Sequence, residues 1–173
     1  LLGAEKVAGQ VAAQGLSVAR NLDLRGAEIT HAVSGRDKYG RALDAAGLRV
    51  GGAALLHGAN IKGEVFLADA RIEGYLAFGG GRFINPGAWA IRAPNARVGG
   101  NLTFKIADNG FAPLGQKTVI EGGAKFDRAQ IEGAMAWVNL ELRGPGPDGA
   151  KGAVLSFADA RIRGALQAKT LVM

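Results

Sequence analysis

The sequence predicts an all-β chain wound as a right-handed quadrilateral β-helix, a β-solenoid of about 22 residues per coil with loop insertions at its corners. Three observations predict it. β-Branched or large apolar residues recur at eleven-residue intervals, glycine holds a fixed place after them, and the remaining apolar residues come in pairs separated by one position.

The interval is read from Val7, Val18 and Ile29, then Val50, Ile61, Ile72 and Phe83, and later Ile120, Ile131 and Leu142, with Val98 in the same phase as Ile120. Two positions after these residues stands glycine, at Gly9, Gly52, Gly63, Gly74, Gly100, Gly122, Gly133, Gly144 and Gly164. Apolar pairs follow, as in Val65 and Leu67, Leu76 and Phe78, Leu102 and Phe104, and Met135 and Trp137. A small residue precedes the next unit by two, at Ala27, Ala59, Ala70, Ala96, Ala129 and Ala160. The unit thus reads Ala-x-Ile-x-Gly-x-Leu-x-Leu-x-x.

Two apolar residues one position apart point to the same side of an extended strand. Each unit therefore supplies two short inward-facing strands, and the phase slip between them marks a corner. Glycine suits a bend that needs positive φ or close backbone approach. Two units make four sides and one coil. A helix is excluded by the absence of a 3.6-residue period and by the frequency of glycine. At about 4.8 Å per coil, roughly seven coils would make a rod about 35 Å long.

Four stretches break the period and are expected to be loops leaving the corners: His31 to Arg41, Gly79 to Trp89, Ile106 to Thr118, and Arg143 to Ala150. Each contains glycine and three contain proline. In solenoids such insertions often carry the binding surface.

Composition agrees with one folded domain over residues 1–173, read equally well as a segment of a longer chain. Apolar residues make up 48% of the sequence, enough for a core, and 28 glycines serve the corners. The absence of cysteine excludes a disulfide framework, a thiolate metal site and a cysteine nucleophile. With no charged-then-apolar leader and no apolar run long enough to span a bilayer, the sequence favours a cytoplasmic location, and nothing in it supports a membrane surface as partner. The net charge of +6 is dispersed, as solubility requires, and does not form a nucleic-acid-binding cluster.

Units such as Ala59-Asn60-Ile61-Lys62-Gly63 and Ala70-Arg71-Ile72-Glu73-Gly74 resemble those of pentapeptide-repeat proteins, whose core is Ala-Asp/Asn-Leu-x-x. The departure is an alternating five- and six-residue step with a fixed glycine. In this the chain is similar to long eleven-residue-repeat proteins of bacteria, mainly actinobacteria, which share stretches like Ala42 to Leu56 and Asn85 to Leu102 with their Arg-Val-Gly-Gly. The resemblance implies the solenoid fold. Members often carry the label "membrane-associated oxidoreductase", although no residue here justifies it. Some pentapeptide-repeat proteins mimic duplex DNA and engage type II topoisomerases, which requires a negative surface that this basic chain lacks.

No residue set assembles a catalytic, cofactor or metal site. Gly144 to Gly149 matches G-x-G-x-x-G by letter, but two prolines remove amide donors and no helical pattern follows, so it reads as a loop. Asp69 and Asp159 recur at one outward corner, where a side-chain bond to the backbone of the bend is expected. Glu121 and Glu132 lie half a coil apart and face different sides, so they form no acid–base pair. His31 and His57 have no ligand partners at metal-binding spacing, and Ser34 has no nucleophile-elbow pattern. Trp137 is expected in the core, and Trp89 falls in an insertion. Lys6, Glu28, Arg49 and Arg71 precede the β-branched residue and are expected to line one side. Opposite neighbours there would be Lys6–Glu28 and Glu28–Arg49, with Arg49–Arg71 like on like and open to an anion or acidic partner.

These readings predict a non-catalytic structural or protein-interaction module with no cofactor, no metal and no small-molecule substrate. Its expected partner is a protein, or another copy joined end to end, since Leu1-Leu2 and Leu171-Val172-Met173 leave apolar ends.

Overall fold

The computed structural model describes residues 6–31, 40–106, 115–152 and 154–172. The chain is a parallel β-solenoid with four strand columns, here faces I to IV. On face I, Val7 pairs with Ile29, Ile29 with Ile61, Ile61 with Phe83, Phe83 with Ile120, and Ile120 with Leu142. Face II stacks Val11, Leu43, Val65, Ile91, Ala124 and Leu155. Face III stacks Val18, Val50, Ile72, Val98, Ile131 and Ile162 as a separate six-stranded sheet. Face IV runs Leu22, Ala54, Leu76, Leu102, Met135 and Leu166.

All of these pairings are parallel, and uninterrupted coils repeat at the expected interval, as in Val50 with Ile72 and Ile61 with Phe83, each 22 positions apart. Faces I, II and IV merge into one fifteen-stranded sheet because strands such as Arg82–Arg92 and Met135–Arg143 run round a corner without breaking. Described coils number six rather than seven, since the insertions consume a coil's worth of chain.

The two apolar pairs of each unit do face inward. Ile61 and Ile72, one on face I and one on face III, are 0% and 2% exposed. The alanines of Ala-x-Ile keep the interior narrow, so bulk comes from the second pair. Phe78 stacks on Phe104 at 5.2 Å between ring centroids, and Phe126 on Phe157 at 5.2 Å. Trp137 continues the face IV row, half-buried against Phe157 at 5.7 Å. Stacked rings gain about 0.5–1.5 kcal/mol beyond their burial.

Glycine serves the corners in two different ways. Between faces I and II, Gly63 adopts φ +117°, a left-handed conformation that a side chain would strain. Between faces III and IV the demand is space: glycines 52, 74, 100, 133 and 164 form a column in which Gly52 N–H donates to the Arg20 carbonyl and each later N–H to the carbonyl of the glycine one coil back. A Cβ on Gly74 would lie 2.8 Å from the Gly52 carbonyl carbon.

The corner between faces II and III is left-handed throughout, at Gly15, Gly47, Asp69, Asn95, Arg128 and Asp159. Asp69 and Asp159 thus occupy the predicted corner, but Asp69 Oδ1 accepts from Asn95 Nδ2 at 3.1 Å, one coil on, rather than from its own bend. The parallel stacking brings the next coil's side chain within closer reach than the local backbone.

The predicted charge row divides in two. Lys6 and Glu28 meet on face I with an ion pair of 3.1 Å. Glu28 then pairs with Asn60, not Arg49, while Arg49 and Arg71 stack on face III. Ile29 to Leu43 spans 14 positions where Ile61 to Val65 spans 4. The ten extra residues displace the succeeding strands by about half a coil.

Gly74→Ala is expected to destabilise the fold by more than about 2 kcal/mol, since its Cβ would meet fixed backbone. Gly152→Ala, with nothing within 4 Å of the new Cβ, is expected to stay within about 0.5 kcal/mol. Urea denaturation of the two variants checks the contrast.

Candidate interaction surface

Three of the four insertions leave the same corner, the one between faces I and II. They follow Ile29, Ile84 and Leu142, in the second, fourth and sixth coils; the first, third and fifth coils turn there tightly at Gly9, Gly63 and Gly122. Residues 32–39 of the first insertion lie outside the described residues, as does Ser34. The insertion predicted at Gly79 to Trp89 contracts to Asn85–Ala88, where the register shifts inside the continuous strand Arg82–Arg92. The insertion at Ile106 to Thr118 leaves the corner between faces IV and I instead, and its residues 107–114 lie outside the described residues. At its return, buried Thr118 donates through Oγ1 to the Phe104 carbonyl and accepts from Gly80 N–H, both at 2.8 Å.

Two of the loops on the common edge touch each other. Gly87 N–H donates to the Pro145 carbonyl at 2.9 Å, joining the loop of the fourth coil to that of the sixth. The intervening coil passes between them at Gly123, where a Cβ would lie 2.7 Å from the Trp89 ring and 2.9 Å from Pro147. Lys125 Nζ sits 5.2 Å from the centroid of the Trp89 ring. Gly144 to Gly149 belongs to this edge: it follows the strand Met135–Arg143, makes a single 3-10 turn at Pro147–Gly149 and returns to strand at Val154–Ser156. The strand-to-helix geometry that receives a pyrophosphate is not formed there.

A charged cluster pins the bases of the first two loops. Glu64 follows the tight glycine corner and is 1% exposed. Arg92 reaches it from the next coil at 2.5 and 3.2 Å, and Arg41 from the preceding coil at 3.3 Å. Arg41 also bonds Asp44 at 2.9 Å. Both guanidinium groups lie against the Phe66 ring, at 3.9 and 4.5 Å from its centroid. Burial pushes the Glu64 carboxyl above its ordinary value, an effect that the two arginines oppose without cancelling. Sequence reasoning missed this cluster because its members stand 23 and 28 positions apart, the longer step across an insertion.

Face III carries the other feature. The row before its apolar residues reads Ser17, Arg49, Arg71, Arg97, Gln130 and Arg161, each in register with the next. All four arginines are exposed, and among the described residues none of them is in an ion pair. Arg49 and Arg71 were legible in the sequence; Arg97 and Arg161 share the same place, Arg-Val and Arg-Ile, and extend the row. Shallow grooves flank it, one bordered by Asp69, Asn95 and Arg128, the other by Glu73 and Glu132.

The remaining candidates stay apart. Glu121 lies on the face I strand Thr118–Lys125 and Glu132 beside face III, so they do not converge. His31 and His57 sit at different corners. His57 is 2% exposed, and burial holds its imidazole below the ordinary value. Among the described residues no three His, Asp or Glu side chains gather as metal ligands, and no helix is long and apolar enough to cross a membrane. No family model, curated protein or solved structure matches the chain.

Arg92→Met is expected to lower stability at pH 7 by about 3 kcal/mol, because Glu64 stays buried with less compensation. A carboxyl raised in the folded state binds its proton more readily there, so lowering the pH should restore part of the loss. Adding Glu64→Gln should do the same at pH 7. Thermal melts between pH 5 and 7 check both outcomes.

Proposed function

We propose that this chain is a non-catalytic interaction solenoid whose loop edge is its partner-binding surface. The observation that carries this reading is the gathering of three insertions on one corner, on alternate coils, the bases of the first two held by Glu64, Arg41 and Arg92. Loop length costs a solenoid little when the stacked coils beneath it are unchanged. Placement of all three on one edge therefore points to a shared surface. Kinship with pentapeptide-repeat proteins belongs to the same proposal and rests on the repeat unit. The topoisomerase reading is opposed by the exposed arginine row, since mimicry of DNA needs carboxylates there. The oxidoreductase reading draws on a label and finds no support in the Gly144 to Gly149 loop.

The test removes a loop while keeping the coil. Replacing residues 144–152 by a tight turn like that at Gly122 is expected to preserve the β spectrum and melting temperature and to abolish capture of a cross-linked partner. Retention of the partner by the trimmed protein, or turnover of a substrate by the intact one, would overturn the proposal.

A further inference from the structure

We infer that face III is a docking strip for an acidic α-helix lying along the solenoid axis, its carboxylates meeting Arg49, Arg71 and Arg97. This surface lies away from the loop edge, and the inference stands whether or not the loops bind a partner.

Three observations carry it. The first is the register. Arg49, Arg71 and Arg97 are direct neighbours on successive coils, so three like charges are stacked at about 4.8 Å. Like charges in direct register destabilise a sheet. Other cross-coil charge contacts mostly pair opposite signs, as in Lys6 with Glu28, Glu64 with Arg41 and Arg92, and Glu132 with Arg163. Arg92 and Lys125 also stand in register, but each has a carboxylate partner, Glu64 and Asp127. The three arginines are exposed and, among the described residues, none of them is in an ion pair. An arriving anion would relieve the repulsion that the fold leaves in place.

The second is width. The row is one residue across, with Asp69, Asn95 and Arg128 on one flank and Glu73 and Glu132 on the other. A broad polyanion, such as a nucleic-acid duplex or an anionic membrane, would set its charge against the two glutamates. A ligand with a single file of negative groups would not.

The third is spacing. On an α-helix, carboxylates at i, i+3 and i+7 are separated along the axis by about 4.5 and 6.0 Å, a span of about 10.5 Å. Two steps of the arginine row cover about 9.6 Å. An extended strand presents same-side residues every ~6.7 Å, so three of them span about 13.4 Å and fall out of step with the arginines. The helix fits within the reach of an arginine side chain. Guanidinium–carboxylate contacts supply the directional, charge-assisted bonds that hold such a register. A second copy of this chain is a poor occupant, because no outer row among the described residues carries carboxylates on three successive coils.

The test uses a fluorescent helical peptide of about 20 residues, long enough to hold a helix, with Glu at i, i+3, i+7 and i+10 on one face. A control peptide of the same composition has its carboxylates spread around the helix. By anisotropy, the one-faced peptide is expected to bind at least about tenfold more tightly than the control, and less tightly as salt rises. Arg71→Gln and Arg97→Gln, both at exposed positions, should each weaken it by about tenfold, the effect of losing one charge-assisted hydrogen bond. The protein with residues 144–152 trimmed should bind the peptide as the intact protein does, which separates this site from the loop edge. Equal binding of the two peptides, tighter binding of a single-stranded oligonucleotide or of anionic-lipid vesicles, or no peptide binding up to about 1 mM would each overturn the inference. The peptide comparison uses the unsubstituted protein, so it decides the matter even if a variant fails to fold.

Discussion

Parallel, in-register hydrogen bonding between successive coils is the constraint on which everything else in this molecule depends. In the inner coils the strand N–H and C=O groups bond to the coils above and below, so a residue's main neighbour is its counterpart one coil away. Identity therefore stacks on identity. Inside, that is favourable: leucine lies over leucine and phenylalanine over phenylalanine, and the narrow tube is filled without a helix or a second layer. At the corner between faces III and IV it requires glycine in every coil after the first, because each backbone approaches the preceding one too closely for a Cβ.

Outside, the same stacking penalises repetition of charge, and the fold mostly avoids the penalty by alternating sign. Glu64 between Arg41 and Arg92 is the fullest case, with the Phe66 ring covering both guanidinium groups. Left-handed corner residues solve the problem with neutral partners, as Asn95 does by accepting from Arg128 Nε and donating to Asp69. Against that background the arginines of face III are a departure from the rule. The departure runs over three successive coils and adds nothing to the stability of the stack.

The repeat unit made the interior fully legible, because an apolar pair one position apart has only one way to face a core. Ile61, Ile72, Leu76 and Phe78 all point where the alternation places them. Lateral neighbours were less legible. Val98 and Ile120 share an eleven-residue phase, yet they lie on faces III and I. The insertion between them is about one unit long, and a period of one unit cannot register its own insertion. Glu28 and Arg49 were separated by the same effect. The signal that survives insertions is local: Arg-Val or Arg-Ile marks face III at Arg49, Arg71, Arg97 and Arg161, whatever the distance between them. The Glu64 cluster carries no such local mark, since its three members occupy unlike places in their units.

The alternation of loops and tight corners on one edge has a physical cause in the same repeat. Coils rise by about 4.8 Å, whereas a loop with side chains needs about the 10 Å that separates packed layers of chain. Irregular loops that do not pair in register need more room than the coil rise, and their placement on every second coil supplies it. The coils between must turn in minimal space, and there Gly63 and Gly122 take positive φ close beneath their neighbours: a Cβ on Gly63 would run into the Gly40 carbonyl oxygen, and one on Gly122 into that of Asn85. These glycines are consequently part of the loop edge although they belong to no loop. Two coils per loop also sets the pitch of whatever surface the loops present, about 9.6 Å, and ties it to the backbone repeat rather than to the loop sequences.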